Sequence, residues 1–237
     1  MYKYFQLIFF LFIFCNLATA QNQGARYFSL ANNRVYDVEI ILFAYNKALP
    51  NAESYSNKEI VDTSKAIHLE PKPTGLALIK PLSTETVTDK YTVEIDHDNT
   101  SSKVEVLAWF EHDPSFLKLK PIWSKLQQAA DITPLIHRAW RQPQTQFNNP
   151  QYVAIGNEIE GMSTIPDLTI NGQVALSKGR YLHFGHQVNL YRLVNGENLK
   201  NIVFSLTERK QVKPNELHYF DSPWFGSIVK ITQVKGE

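Results

Sequence analysis

Cysteine is almost missing from this chain. The single one among 237 residues is Cys15, at the end of an apolar N-terminal run. Beyond that run there is no thiol, which excludes disulfides and thiol catalysis. An excess of one charge is missing too. Twenty-four basic side chains against 23 acidic ones give a formal net charge of +1, with no block of like sign. Nucleic-acid binding depends on clustered cations and is set aside, and nothing draws the chain electrostatically to an anionic membrane. No GxSxG, HExxH or glycine-rich phosphate loop occurs, so three common catalytic and nucleotide-binding signatures are absent. No solenoid repeat or low-complexity tract is present.

What is present begins with a leader. Lys3 is followed by the apolar run Phe5–Phe14 and by Ala18-Thr19-Ala20, a small-x-small cleavage pattern. Residues 1–20 are expected to be a secretory signal peptide cut after Ala20. The run is short for a membrane span, which needs about 20 apolar residues. Phe14 stands where a lipobox would have a small residue before Cys15. Residues 21–237 are expected to form one exported domain, and 43% apolar residues suffice for an ordinary core.

The exported part reads as α+β, predominantly antiparallel sheet with one or a few packed helices. Residues 34–45 alternate with apolar side chains on both faces, which predicts a central strand covered on two sides. Residues 46–74 are polar and carry three prolines, predicting a long excursion with room for a short helix at 56–65. Further strands are expected at 76–80, 87–95 and 103–110, with a turn at 96–99. Pro121, Ile122, Trp123, Leu126 and Ala130 predict a helix over 120–130, with Trp123 in the core. A strand at 132–143 precedes a Gln/Asn/Pro-rich loop at 142–151. The second half is strand-rich: 168–176, a turn at 177–179, 180–192, a turn at 195–196, 202–210, 216–220 and 225–231, read as one meander.

Chemistry concentrates in two places. On the 181–191 strand, Tyr181, His183, Gln187, Asn189 and Tyr191 share one face. Rings and amides in a row suit sugar or peptide recognition, and polar-out alternation is also the ordinary pattern of a solvated sheet face. The second place is Glu216-Leu-His-Tyr-Phe-Asp-Ser-Pro-Trp-Phe-Gly226, which packs Glu216, His218, Tyr219, Asp221 and Trp224 around a Ser-Pro turn. The histidines do not suggest a metal, since His183 and His186 are three apart on a strand and face opposite ways. Glu216 and Asp221 are closer to turn formers than to a glycosidase pair. No cofactor is expected.

Four segments, in order, resemble the CsiV family of bacterial cell-envelope proteins: Val35-Tyr-Asp-Val-Glu-Ile-Ile-Leu-Phe43, His137-Arg-Ala-Trp-Arg-Gln-Pro143, Gly172 through Arg180-Tyr-Leu-His183, and Glu208-Arg-Lys210 with Glu216 to Gly226. The corner departs from the family's Tyr-x-Asp-His-Pro form, because Ser222 stands at the histidine position. The resemblance implies a non-enzymatic periplasmic accessory protein. It would bind peptidoglycan and support wall synthesis by a class A penicillin-binding protein and its lipoprotein activator. The chemically apt residues on the matching motifs are Trp140, Arg141, Gln142, Tyr181, His183, Glu216, His218, Tyr219, Asp221 and Trp224, with Arg141 pairing a stem-peptide carboxylate. A protein adaptor without glycan affinity and, more distantly, a wall hydrolase are the rival readings.

Overall fold

The computed structural model describes residues 24–47, 59–81, 104–156, 168–194 and 197–235. The expected leader, the strand at 87–95, the turns at 96–99 and 195–196 and part of the 46–74 excursion lie outside the described residues. The elements are β1 (Arg26–Ser29), β2 (Val35–Tyr45), β3 (Ile79–Pro81), β4 (Val104–Ala108), β5 (Phe110–Glu111), α1 (Lys120–Gln128), β6 (Ile132–Pro143), β7 (Thr145–Gln146), β8 (Val153–Gly156), β9 (Leu168–Lys178), β10 (Leu182–Val194), β11 (Glu197–Gln211), β12 (Leu217–Asp221) and β13 (Phe225–Gln233). They form a first sheet ordered β12-β13-β2-β6-β5 and a second ordered β11-β10-β9-β7, with β8 also on β9. A third, smaller sheet runs β1-β4-β3. The α+β, mainly antiparallel reading of the sequence holds, with α1 the one α-helix among the described residues.

β2 is the strand around which the rest packs. Alternation sends Tyr36, Val38, Ile40, Leu42 and Ala44 to one face, where they meet Ile170, Val174, Leu176, Phe184, Val188 and Leu190 of the second sheet. On the other face, Val35 packs under Val106 and Ala108 of the third sheet. Ile41 and Phe43 pack under Leu119, which precedes α1, and under Ile122, Trp123 and Leu126, the apolar stripe that α1 presents. Burial on both faces is why the strand is apolar at odd and even positions alike. Each fully buried side chain of this kind contributes about 1.5–3 kcal/mol. Trp123 does belong to this packing. It is half-buried and stacks on His137 at 5.3 Å.

Three expectations change. The described part of 103–110 belongs to two strands, because Trp109 takes φ 62° and turns the chain from the third sheet into the first. A positive φ costs a bulky residue about 1–3 kcal/mol, and the Trp109 indole is buried there at 1% exposure with its Nε1–H unpaired among the described residues. The described part of the 56–65 stretch is not helical. The C-terminal strands are not one meander. β10 and β11 pair within the second sheet, whereas β12 and β13 form a hairpin in the first. The crossing is made at 212–216, where Val212 N–H donates to Leu182 O and Asn215, at φ 66°, donates to Ile231 O. At Gly172 the β9 and β10 backbones touch so closely that a Cβ would lie 2.6 Å from Val188 Cα.

Candidate functional site

The β12–β13 corner is built from Ser222 outwards. Ser222 is buried, its N–H and its hydroxyl both donate to Phe225 O (3.0 and 2.6 Å), and its Oγ accepts from Phe225 N–H (3.1 Å). One side chain thus closes the tight turn. β13 then pairs with β2 so that Gly226 lies beside Phe43. A Cβ at Gly226 would sit 2.6 Å from Phe43 Cζ, so the Phe43 ring takes the space that glycine leaves. Tyr219 stacks on Phe43 at 6.4 Å and 14°, and Tyr45 meets the same ring edge-on at 5.7 Å.

The phenols form a chain. Tyr45 OH donates to Asp221 Oδ1 (2.8 Å), so Tyr219 OH donates to Tyr45 OH (2.7 Å). Burial, then the hydroxyl of Tyr219 and the carboxylate of Asp221, raise Tyr45 far above the ordinary phenol range. Burial and the charge of Asp221 raise Tyr219 as well. Both stay neutral donors at physiological pH. The outcome is an aromatic ring with one face supported, its hydroxyl pinned, and 52% of its surface exposed. Leu217, exposed and two residues earlier on the strand, extends the same face. Trp224 is partly buried and packs against the main core.

The other expected residues divide among three locations. Glu216 is exposed beside Lys213. His218 holds the entry to β12, with its Nε2 2.8 Å from Lys213 O. Tyr181 and His183 lie on the outer face of the second sheet, since Leu182 and Phe184 face the core. Tyr219 faces out from the first sheet, since Phe220 is core. The two groups are therefore on opposite sides of the sandwich and do not form one surface.

Trp140, Arg141 and Gln142 are not on the surface at all, with exposures of 2%, 6% and 0%. β13 and β2 separate their strand from β12. Trp140 Nε1–H donates to Gln142 Oε1 (2.7 Å) inside the inter-sheet core. Arg141 forks onto Asp37, Nε to Oδ1 at 2.7 Å and Nη2 to Oδ2 at 3.0 Å, and His112 Nε2–H donates to Oδ1 at 2.7 Å. The guanidinium that the sequence offers to a ligand carboxylate is already paired with a carboxylate of the fold. Next along β2, Glu39 accepts from Lys118 N–H (3.0 Å), Leu119 N–H (2.7 Å) and His137 Nε2–H (2.8 Å), tying the 112–119 segment to the sheet. Burial pushes both acids up, yet His112 and Arg141 hold Asp37 below the ordinary carboxylate range, and His137 with two backbone amides does so for Glu39. Sequence reasoning passed over both acids. Their signal was a pair of carboxylates at alternate positions of a strand otherwise apolar on both faces.

His183 and His186 do face opposite ways. His186 is fully buried against Phe184 and Phe220, 2.9 Å from Ser227 Oγ. Burial, then the charge of Lys210, pushes its pKa down to about 3. This serine–histidine pair is sealed from solvent, and no acid orients its Nδ1, so it lacks the geometry of a hydrolytic triad. Among the described residues, no three His, Cys, Asp or Glu side chains converge as metal ligands.

Compared with known proteins, residues 6–234 match the family described as peptidoglycan-binding protein, CsiV. No curated protein and no solved structure matches the chain.

Proposed function

The chain belongs to the CsiV family of peptidoglycan-binding proteins, and from that premise we propose that it is a non-enzymatic periplasmic accessory protein which grips the wall through the β12–β13 corner. The observation that carries this reading is the Tyr219 ring, backed by Phe43 and pinned through Tyr45 to Asp221 while half of it faces solvent. A ring held rigid before binding stacks on the apolar face of a sugar without losing side-chain entropy. Asp221 stands beside it as an acceptor for sugar hydroxyls or N-acetyl N–H groups. Its place in the envelope would be beside a class A penicillin-binding protein and its lipoprotein activator, which the wall-bound accessory protein would support.

The test is co-sedimentation of the purified protein with isolated sacculi at moderate salt, with soluble wall fragments as competitor. Tyr219→Ala should weaken binding about tenfold, the loss of roughly 1.4 kcal/mol that an exposed aromatic anchor supplies. Tyr219→Phe keeps the ring and should retain most of the binding. Full binding by the alanine variant would remove the corner from the function. Wild-type protein left in the supernatant would turn the function towards a protein adaptor.

A further inference from the structure

The outer face of the second sheet already holds a peptide. Residues 59–61 lie across it, and the face recognises their backbone. Asn189 Oδ1 accepts the Val61 N–H at 2.8 Å, Asn189 Nδ2–H donates to Glu59 O at 2.8 Å, and Ser205 Oγ–H donates to the same carbonyl at 2.9 Å. Asn189 is fully covered by this segment, whereas the Ile60 side chain between the two anchors is 73% exposed. The contacts read amide groups and ignore the side chain.

Two residues along β10 the same chemistry recurs, on a Gln187 that is partly exposed and a Gln173 that is 7% exposed. Gln173 Nε2–H donates to Gln187 Oε1 at 2.6 Å. That leaves Gln187 Nε2 as a donor and Gln173 Oε1 as an acceptor, the set that a peptide unit requires. Two residues further, β10 carries Gly185, and Arg209 stands opposite it on β11. Arg209 is exposed. Its guanidinium lies 4.8 Å over the Phe147 ring, with Nη1–H donating to Phe147 O at 3.2 Å. Two residues of strand span about 7 Å, so the amide pair and the guanidinium are about two peptide units apart. The outward positions within 169–177, 183–191 and 205–211 include no acid.

We propose that this face is a second binding site, taking an extended peptide with a free carboxylate, its amides on Gln173 and Gln187 and its carboxylate on Arg209. The proposal rests on the wall-binding reading and deepens it. The corner takes glycan, and the opposite side of the sandwich takes the stem peptide, the part of peptidoglycan that carries backbone amides and terminal carboxylates.

The experiment titrates the protein, purified after export, with three probes: an acetylated stem peptide ending in D-Ala-D-Ala, the same peptide as its C-terminal carboxamide, and glycan strands stripped of peptide. The wild type should bind the free acid about tenfold more tightly than the carboxamide, the worth of a charge-assisted contact. Arg209→Gln, a surface substitution, should bring that ratio to about one and leave glycan-strand binding unchanged. Tyr219→Ala should do the reverse. Equal affinity of the wild type for the two peptides, a preference that survives in Arg209→Gln, or glycan binding without any peptide binding would overturn the proposal while leaving the corner intact. Failure of sacculi and all three probes to bind would remove the wall-binding reading, and this site with it.

Discussion

Arg141→Ala should cost about 3–5 kcal/mol of stability, the usual result of removing one partner of a buried ion pair. The substitution leaves the Asp37 carboxylate in the interior with only His112 to answer it. Arg141→Lys should recover only part of the loss, because an ammonium cannot reproduce the two parallel bonds of the guanidinium fork. The double variant Asp37→Ala/Arg141→Ala should lose less than the two single losses together, since the unpaired charge is then gone. Urea denaturation of the wild type, Arg141→Ala, Arg141→Lys, Asp37→Ala and the double variant measures all of this. Folded Arg141→Ala protein should still sediment with sacculi. A variant of unchanged stability that no longer binds would return Arg141 to the ligand-carboxylate role which its sequence motif suggests.

The second large effect is acid lability in two stages. His186 is neutral in the fold, with a pKa near 3, and ordinary, near 6.5, when unfolded. Between those values the unfolded chain binds a proton that the folded chain does not. Stability from this group is complete above pH 6.5 and falls by about 1.4 kcal/mol per pH unit as the pH drops towards 3. Asp37 and Glu39 act lower. Their folded pKa values lie below the ordinary range, so their contribution is present above about pH 4 and is lost as pH falls through the folded values. Denaturation midpoints should therefore already decline between pH 7 and about pH 5.5, before the carboxylates titrate appreciably. His186→Gln retains a group able to bond Ser227 and should flatten the decline by one proton. Identical slopes for the two proteins would mean that His186 is not held neutral.

Much of the fold was legible because it depends on local periodicity. β2, β6, β9, β10 and α1 fall where alternation or helical spacing placed them, and apolar residues at odd and even positions of β2 announced its two covered faces. The opposite orientations of His183 and His186 followed from the two-residue period alone. The corner was legible too, since Ser222-Pro223 follows one strand and Phe225 opens the next.

The sequence could not say which strands are neighbours. Pairing of β6 with β2 rather than β12 buries Trp140, Arg141 and Gln142, and no spacing within 137–143 reports that choice. The same holds at 212–216, where a proline and a left-handed asparagine look like any turn but carry the chain into another sheet. Tyr45 and Tyr219, 174 positions apart, share a hydrogen bond only because β13 lies between β12 and β2.

By itself, then, the sequence determined the strand-rich class, the central strand, the lack of cysteine beyond residue 15 and the two chemically dense stretches. These are properties of composition and short-range period. Tertiary structure alone decided that Arg141 serves the core, that Tyr219 is a supported and pinned ring, and that the two dense stretches face opposite directions. Those depend on long-range strand order, which is set by how whole faces bury together rather than by any residue's neighbours in the chain.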